Sequence, residues 1–545
     1  MPEPLAETAA WRRLRWHQAE IRDLHLRDLF AGDLSRGERL TASAAGLHLD
    51  FSKHRVTDDT LALLRKLAAE RRLEEQVRAM FRGERVNVSE GRPALHVALR
   101  MERSRSLIVD GVDVVREVHD ELDRLRAFAA EVRPGAWLGA SGRPLRNVVN
   151  VGIGGSDLGP ALAYEALRPW VTAELRFRFV ANVDPAELAG AVRGLDPAET
   201  LFVVVSKTMS TLETLANAAA AREWLRAGLG PRADLARHVV GVAAATERAA
   251  AELRIPAGQV FRIWDWVGGR TSLCSAVGLS TLLALGAEGF DELLAGFRAL
   301  DEHFLTTPLG ANLPAICGLL AVWYRNFFGA ETAAVIPYAS ALRLLPAYLQ
   351  QLSMESLGKG VTVAGEPVGV ETGQVLWGAE GTKAQHAVFQ LLHQGTSLVP
   401  VDLIGFARPG EGAQAQHDLL AASLLAQAEA LAFGRTEAEL RAAGAPEETI
   451  PHRVMPGNRP TSVLLAERLT PATLGALIAL YEHAVFTQAA VWGINPFDQW
   501  GVELGKELAA RIAPELAADW PHELLHDSST NALVRRYRQL RDRGG

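Results

Sequence analysis

The sequence predicts an α/β protein whose mainly parallel sheets are divided between two domains. Three observations carry this. Short apolar runs alternate with helical runs from about residue 145 onward. Glycine-rich or hydroxyl-rich loops join strand to helix at two places in that stretch. The same style returns, less regularly, after residue 290. Strands of four to eight residues alternating with helices read as βαβ units feeding a parallel sheet.

In chain order, residues 1–115 read as a mostly helical region packing on the second domain. Thr57-Asp58-Asp59-Thr60 before LALLRKLAAERRLEEQVRAMF is a helix start, because short polar side chains there satisfy free N–H groups. Residues 116–290 form the first α/β domain, with strands expected at 146–151, 176–183, 200–207 and 238–245. Residues 291–515 form the second, with strands expected at 333–339 and 396–406. Residues 516–545 form a helical tail ending in the basic segment Arg535 to Arg543. No tandem repeat or low-complexity linker separates these parts, so closely packed domains are expected.

Composition narrows the function. The 57 Lys+Arg against 64 Asp+Glu give 57 − 64 = −7 over 545 residues, which excludes a strongly basic nucleic-acid binder and a polyacidic tail. Hydrophobic residues at 48% and charged residues at 22% support a large core. Two cysteines, Cys274 and Cys317, do not make a disulfide scaffold and fit a reducing compartment, the cytoplasm. The N-terminus has no apolar stretch before its charges, so no export signal is expected. Thr271 to Ala287 is short for a membrane span, and Phe304 to Tyr324 is broken by Pro308, Gly310, Asn312 and Pro314. Both read as buried helices of a protein without a membrane partner.

Several loops carry candidate chemistry. Gly152-Ile153-Gly154-Gly155-Ser156-Asp157-Leu158-Gly159 fails the dinucleotide fingerprint, which needs glycine where Asp157 stands. It also fails the serine elbow, which needs glycine where Leu158 stands. Glycines here admit a ligand close to backbone, and Ser156 at a helix start can donate to an anion. The alternative is a plain turn capped by Ser156 or Asp157. Ser206-Lys207-Thr208-Met209-Ser210-Thr211-Leu212-Glu213 joins a strand end to a helix, a plausible phosphate cradle. Its alternative is a capping box, Ser210 with Glu213. Trp264-Asp265-Trp266-Val267-Gly268-Gly269-Arg270 puts an arginine at the mouth of an apolar helix, where it needs an anionic partner.

Gln351 and Glu355 lie four apart on a predicted helix and share a face. A carboxylate desolvated there beside a substrate would serve as a base. Thr382 and Gln385 form a capping-box pattern that would place His386 in the first helical turn, with His393 seven residues on. Without closer spacing, a third ligand or a His-Glu-x-x-His run, no metal is expected. In FDQWGVELGK, Asp498 is the expected N-cap, and Gln499, Glu503 and Lys506 share one helix face. A Glu503–Lys506 surface pair is the alternative.

Taken together and in order, GIGGSDLGP, the SKT segment, WDWVGGR, QLSME, AQH and FDQWGVELGK resemble the glucose-6-phosphate isomerase family. DFSKHRV, GRPALHVALR and PGNRPTSVLL support it, and the resemblance covers about residues 45 to 510. It implies two sugar-isomerase (SIS) domains, α/β/α sandwiches, in a homodimer. It implies reversible conversion of D-glucose 6-phosphate to D-fructose 6-phosphate through ring opening and a cis-enediol(ate), without metal or organic cofactor. Carried over residue by residue, Gly155, Ser156, Ser206, Thr208 and Thr211 would hold the phosphate, with Lys207 close by and Glu213 accompanying it. Glu355 would be the base and Arg270 would stabilise the developing charge. His386, contributed across the dimer interface, and Lys506 would open the ring. Gln351 and Gln499 would position the substrate.

Three positions depart from the family pattern: Thr271 after the arginine, Leu357 in MESLGK, and Lys383-Ala384 before the Gln-His pair. An isomerase for another phosphosugar, such as mannose 6-phosphate, and a non-catalytic sugar-phosphate sensor are the competing expectations.

Overall fold

The computed structural model describes residues 3–171, 174–517 and 523–542. The chain forms two compact units, Met1–Pro496 and Phe497–Gly545. In the larger unit the strands are β1 (Thr41–Ala44), β2 (Leu47–Lys53), a short hairpin of β3 (Ile108–Val109) and β4 (Val112–Asp113), β5 (Asn147–Val151), β6 (Arg176–Val180), β7 (Thr200–Val205), β8 (Val239–Ala243), β9 (Val260–Arg262), β10 (Thr332–Pro337), β11 (Val375–Trp377), β12 (Val401–Phe406) and β13 (Thr461–Ala466). The first large sheet runs β6-β5-β7-β8-β9, with every neighbour parallel. The second runs β1-β2-β13-β12-β10-β11 and is parallel except where β2 joins β1 and β13. The α/β class expected from the sequence is the class observed.

The N-terminal region is more than helical, because it supplies β1 and β2 to the second sheet. Ala45 (φ 50) and Gly46 (φ 78) turn the chain between them. Leu47, Leu49 and Phe51 then point inward, with His48 exposed between them. That is the period of two that strand pairing requires. β9 and β11 are three residues each, too short to show a period. β13 is TSVLLA, a nearly continuous buried run of the kind that parallel strands favour.

The core helices cross closely. A Cβ on Gly296, in the Leu279–Thr306 helix, would stand 1.8 Å from the carbonyl oxygen of Ala472 in the Pro471–Trp492 helix. Gly475 faces the carbonyl of Leu293 in the same way, at 2.2 Å. Glycine is what lets these backbones touch. Gly286 (φ 77) breaks the long helix, and Arg133 donates to the freed carbonyls of Leu283 and Ala284 at 2.8 and 3.1 Å. The Pro471–Trp492 helix is the one helix among the described residues long and apolar enough to cross a membrane, and 94% of its most apolar window is buried inside the protein. The stretches 271–287 and 304–324 contribute to the Leu279–Thr306 and Leu313–Phe327 helices, both rich in buried side chains.

A buried ionic cluster locks the two glycine-crossed helices to the short His96–Arg100 helix. Arg100, with no side-chain exposure, donates twice to Asp301 (2.6 and 2.7 Å) and once to Glu482 (2.7 Å). His483 completes Asp301 at 2.7 Å. Burial pushes Asp301 up, but Arg100 and His483 outweigh it and hold its carboxyl below the ordinary value. Burial pushes Glu482 up to about 7 against the pull of Arg100. The bidentate partner is therefore the better ionised one, as charge-assisted fork geometry favours.

In the smaller unit a Trp500–Val502 turn leads into the Glu503–Ala517 helix, and Asp527 caps the Ser528–Arg541 helix through Ser529 and Thr530 N–H groups. Arg543, the end of the expected basic segment, lies outside the described residues.

Replacing Arg100 by Met leaves two buried carboxylates without their cation. The expected loss is about 3–5 kcal/mol of unfolding free energy, measured by denaturant titration. A loss below about 1 kcal/mol would mean the cluster is not ionised as described.

Candidate active site

The site is assembled from loops at the carboxyl ends of the first sheet and from one distorted helical segment. β5 ends at Val151, Gly152 follows, and Gly154 (φ 61) turns the chain into the Gly155–Ala166 helix. No side chain caps this helix, so Ser156 and Asp157 occupy its first turn rather than the cap position expected in the plain-turn reading. A Cβ on Gly155 would stand 2.0 Å from the Gly269 carbonyl oxygen, so only glycine lets this helix touch the loop that carries Arg270. Gly154 faces the Gln351 side chain, whose Nε2 lies 3.0 Å from where a Cβ would be. Gln351 Oε1 is buried with no hydrogen-bond partner. Asp157 is pushed up to about 7 by burial, with the Glu187 charge adding to it.

β7 ends in the hydroxyl-rich loop. Ser206 is buried and donates to Thr211 Oγ1 at 3.2 Å, while Ser210 donates to Thr208 Oγ1 at 2.7 Å. Met209, at φ 46 and fully buried, turns its neighbours outward: Thr208 and Ser210 are exposed. The helix Leu212–Leu229 begins with Thr211 at its N-cap, and no side chain caps it. The Ser210–Glu213 capping box expected from the sequence is therefore absent: Ser210 lies one residue before the cap, and its hydroxyl turns to Thr208. Lys207 does not pair with Glu213 either. Its ammonium donates to the carbonyls of Asp265 and Val267 at 2.7 and 2.8 Å. Burial pushes it down to about 8.

Arg270 sits on a short turn, Gly269–Thr271, and is 4% exposed. Its Nε donates to Ser356 Oγ at 2.7 Å and its Nη1 to Glu355 Oε2 at 3.1 Å. Its Nη2 donates to the Pro496 carbonyl. Glu355 thus supplies an anionic partner of the kind a buried arginine requires. Tyr348 OH donates to the Arg270 carbonyl at 3.0 Å and fixes the turn from its other side.

Gln351 and Glu355 lie on one segment, but it is a π-helical turn, Gln351–Glu355, following the Leu345–Gln350 helix. Wider turns of this kind recur at functional sites because they re-aim side chains. Lys359 holds the end of that segment, donating to the carbonyls of Glu355 (3.1 Å), Ser356 (3.3 Å) and Asn495 (3.0 Å). Glu355 keeps 21% of its side chain exposed, so one face of the carboxylate stays open.

Sequence reasoning missed Ser356, Lys359 and Tyr348. The first two lie beside Glu355 in MESLGK, where the carboxylate alone drew notice. Leu357, one of the family departures, is buried and faces an interior cavity of about 90 Å³ together with Ser353, His54 and Tyr481. The Thr271 hydroxyl donates to the Gly268 carbonyl at 3.3 Å, within its own turn.

The remaining candidates stand on other elements. His386 is exposed on a 3₁₀ turn, Lys383–His386, with no capping box, because Gln385 donates to Tyr338 OH at 2.9 Å instead. It makes no hydrogen bond to Arg270 or Glu355. His393 instead meets Gln427 at 2.8 Å. In the smaller unit Gln499 directly precedes the Trp500–Val502 turn, one residue after Asp498, the N-cap expected from the sequence. Lys506 is exposed and pairs with Glu503 at 2.8 Å, the surface pair named as the alternative. Among the described residues no group of three or more His, Cys, Asp or Glu is placed to hold a metal ion.

Residues 50–534 match the family described as phosphoglucose isomerase. A glucose-6-phosphate isomerase of Anaeromyxobacter sp. (strain K) is 60% identical over 539 residues, covering 99% of this chain and 98% of the relative. One of Roseiflexus castenholzii is 58% identical over 539 residues, covering 99% of each chain. A crystal structure of a glucose-6-phosphate isomerase from Chlamydia trachomatis superposes with a TM-score of 0.87 at 34% identity, over 99% of this chain and 100% of that one. With these full-length matches, the chain belongs to the phosphoglucose isomerase family.

Proposed function

We propose that this protein interconverts D-glucose 6-phosphate and D-fructose 6-phosphate, in glycolysis and gluconeogenesis. The observation that carries the reading is the contact of a part-exposed Glu355 carboxylate with the buried Arg270 guanidinium at 3.1 Å. Moving a proton between adjacent carbons of an open-chain sugar needs one base that can reach both. It also needs a fixed cation where the enediolate oxygen gains charge. Glu355 takes the C2 proton of the aldose and returns it to C1. Arg270 meets the negative charge that appears between those steps. Because three groups, on Glu355, Ser356 and Pro496, already hold its guanidinium, it need not reorganise when the charge forms.

The phosphate end is read from the loop after β7. The hydroxyls of Ser206, Thr208 and Thr211, with Ser156 and the backbone at Gly155, would take the phosphate at the start of the Leu212–Leu229 helix, where free N–H groups point outward. Gln351, with its unpartnered oxygen, would take a sugar hydroxyl. His386, Lys506 and Gln499 are assigned by their family motifs to ring opening and substrate positioning. The exposure of His386 suits a side chain that serves the site of a second copy in a homodimer. The protein is read as cytoplasmic, with sugar phosphates rather than nucleic acid or membrane as partners. The reaction as written draws on side chains alone.

The purified chain should convert fructose 6-phosphate to glucose 6-phosphate with EDTA present, and Glu355→Gln should lower kcat about 100- to 10,000-fold with little change in KM. Normal turnover in that variant would remove Glu355 from the mechanism. Loss of wild-type turnover on chelation, restored by a divalent ion, would remove the metal-free reading.

The assignment of His386 to the partner's site has its own test. Glu355→Gln and His386→Ala, each inactive alone, should regain about one quarter of wild-type activity after subunit exchange, since half the dimers are mixed and each mixed dimer has one intact site. No recovery in demonstrably mixed dimers would place His386 at its own chain's site.

A further inference from the structure

The geometry points to Lys207 as a positioning residue: its ammonium clamps the 264–270 loop so that Arg270 stands in register with the phosphate loop, and it does not itself hold the phosphate. This rests on the isomerase reading and adds a part to it.

Two of the three ammonium protons are committed to main-chain oxygens two residues apart in one turn, Asp265 at 2.7 Å and Val267 at 2.8 Å. Charge-assisted bonds to carbonyls are stronger than neutral ones, and losing the cation would leave the part-buried Val267 carbonyl without this donor. An incoming phosphate would have to break them to recruit the same protons. The hydroxyls of the loop are under no such commitment to another loop: their bonds are to one another, Ser206 to Thr211 and Ser210 to Thr208.

The clamp matters because the two residues between it and Arg270 have no side chains with which to hold register. Between Val267 and Arg270 stand only Gly268 and Gly269, which have no side chains. The turn is fastened on one side by Leu95 N–H to the Trp266 carbonyl at 3.1 Å, and on the other by Gly155 against Gly269. Tyr348 OH holds the Arg270 carbonyl at 3.0 Å, and Lys207 adds a fastening that, unlike these, comes from the hydroxyl loop. The Lys207 backbone is itself tied down, its carbonyl accepting from Ala244 N–H at 2.9 Å. Glu90 and Arg92 lie within electrostatic range of the ammonium, the first favouring its charge and the second opposing it. A phosphate settling on the loop of Ser206 to Thr211 would thereby steady Arg270. Binding energy from the unreactive end of the substrate would act at the reacting end.

The test uses the full chain with Lys207→Met and Lys207→Arg, measuring kcat, KM for fructose 6-phosphate, and the inhibition constant of inorganic phosphate as the probe of the phosphate site. The clamp predicts that Lys207→Met lowers kcat about 100-fold, the scale of a misplaced catalytic group. The inhibition constant should stay within about threefold of wild type, since no phosphate contact is lost. Lys207→Arg, which keeps a cation with several donors, should recover part of the lost kcat. A rise of about tenfold or more in the inhibition constant with kcat retained would make Lys207 a phosphate ligand and overturn the proposal. Unchanged kcat would overturn it too. If the Met variant does not fold, Lys207→Arg carries the same comparison: unchanged kcat with weakened phosphate inhibition sinks the clamp, and lowered kcat with intact inhibition supports it. Absence of wild-type turnover would instead count against the isomerase reading, while phosphate affinity of the three proteins would remain measurable by calorimetry.

Discussion

A buried guanidinium must be surrounded by acceptors, and the site is built around meeting that requirement at Arg270. One side chain gathers a carboxylate, a hydroxyl and a main-chain carbonyl from Glu355, Ser356 and Pro496. Its own turn follows the first sheet, whereas Glu355 and Ser356 lie between β10 and β11 of the second. Desolvating the charge without those partners would cost several kcal/mol, so the two halves of the site cannot drift independently. The same demand explains the small residues nearby. Gly155 and Gly269 approach closer than any side chain would allow, and this brings the Gly155–Ala166 helix against the arginine's turn.

The protein uses buried cations in two distinct ways. Arg100 is fully enclosed, and its partners Asp301 and Glu482 come from the two core helices, so the cluster is a joint. Arg270 is nearly as buried, but its carboxylate partner retains an open face. That difference separates a structural ion pair from one that can meet a substrate. Lysines repeat the theme on main-chain oxygens: Lys359 gathers the end of the π-helical turn, and Lys207 gathers the turn before Arg270. Neither presents its ammonium as an isolated surface charge.

Much of this was legible in the sequence, for physical reasons. β5, β7 and β8 are buried on both faces and rich in valine, although Asn147 and Asn150 interrupt β5, and the loops after β5 and β7 are rich in glycine or hydroxyls. Arg270 and Glu355 were both singled out, but that each is the other's partner was not, because the pairing crosses 85 residues of sequence. β2 was missed because its partner β13 lies over 400 residues away, and local pattern carries no sign of such pairing; β1, which pairs only with β2, was missed with it. Capping boxes were over-read at Ser210 and Thr382: the residue pattern was present, but nearby hydroxyls offered the side chains other partners. The π-helical turn keeps Gln351 and Glu355 close, so the helical spacing argument found the pair without finding the distortion.

The central claim is that Glu355 carries a proton between adjacent carbons while Arg270 steadies the charge left behind. The most direct measurement runs the reaction in D₂O and follows the recovered sugars by NMR. A carboxylate that exchanges its proton with solvent between abstraction and return should place deuterium at C2 of glucose 6-phosphate and C1 of fructose 6-phosphate, and the label should accumulate over repeated turnovers. Full isomerisation with no deuterium at either carbon after many turnovers would mean that hydrogen moves directly between the carbons, and the roles given to Glu355 and Arg270 would fall together.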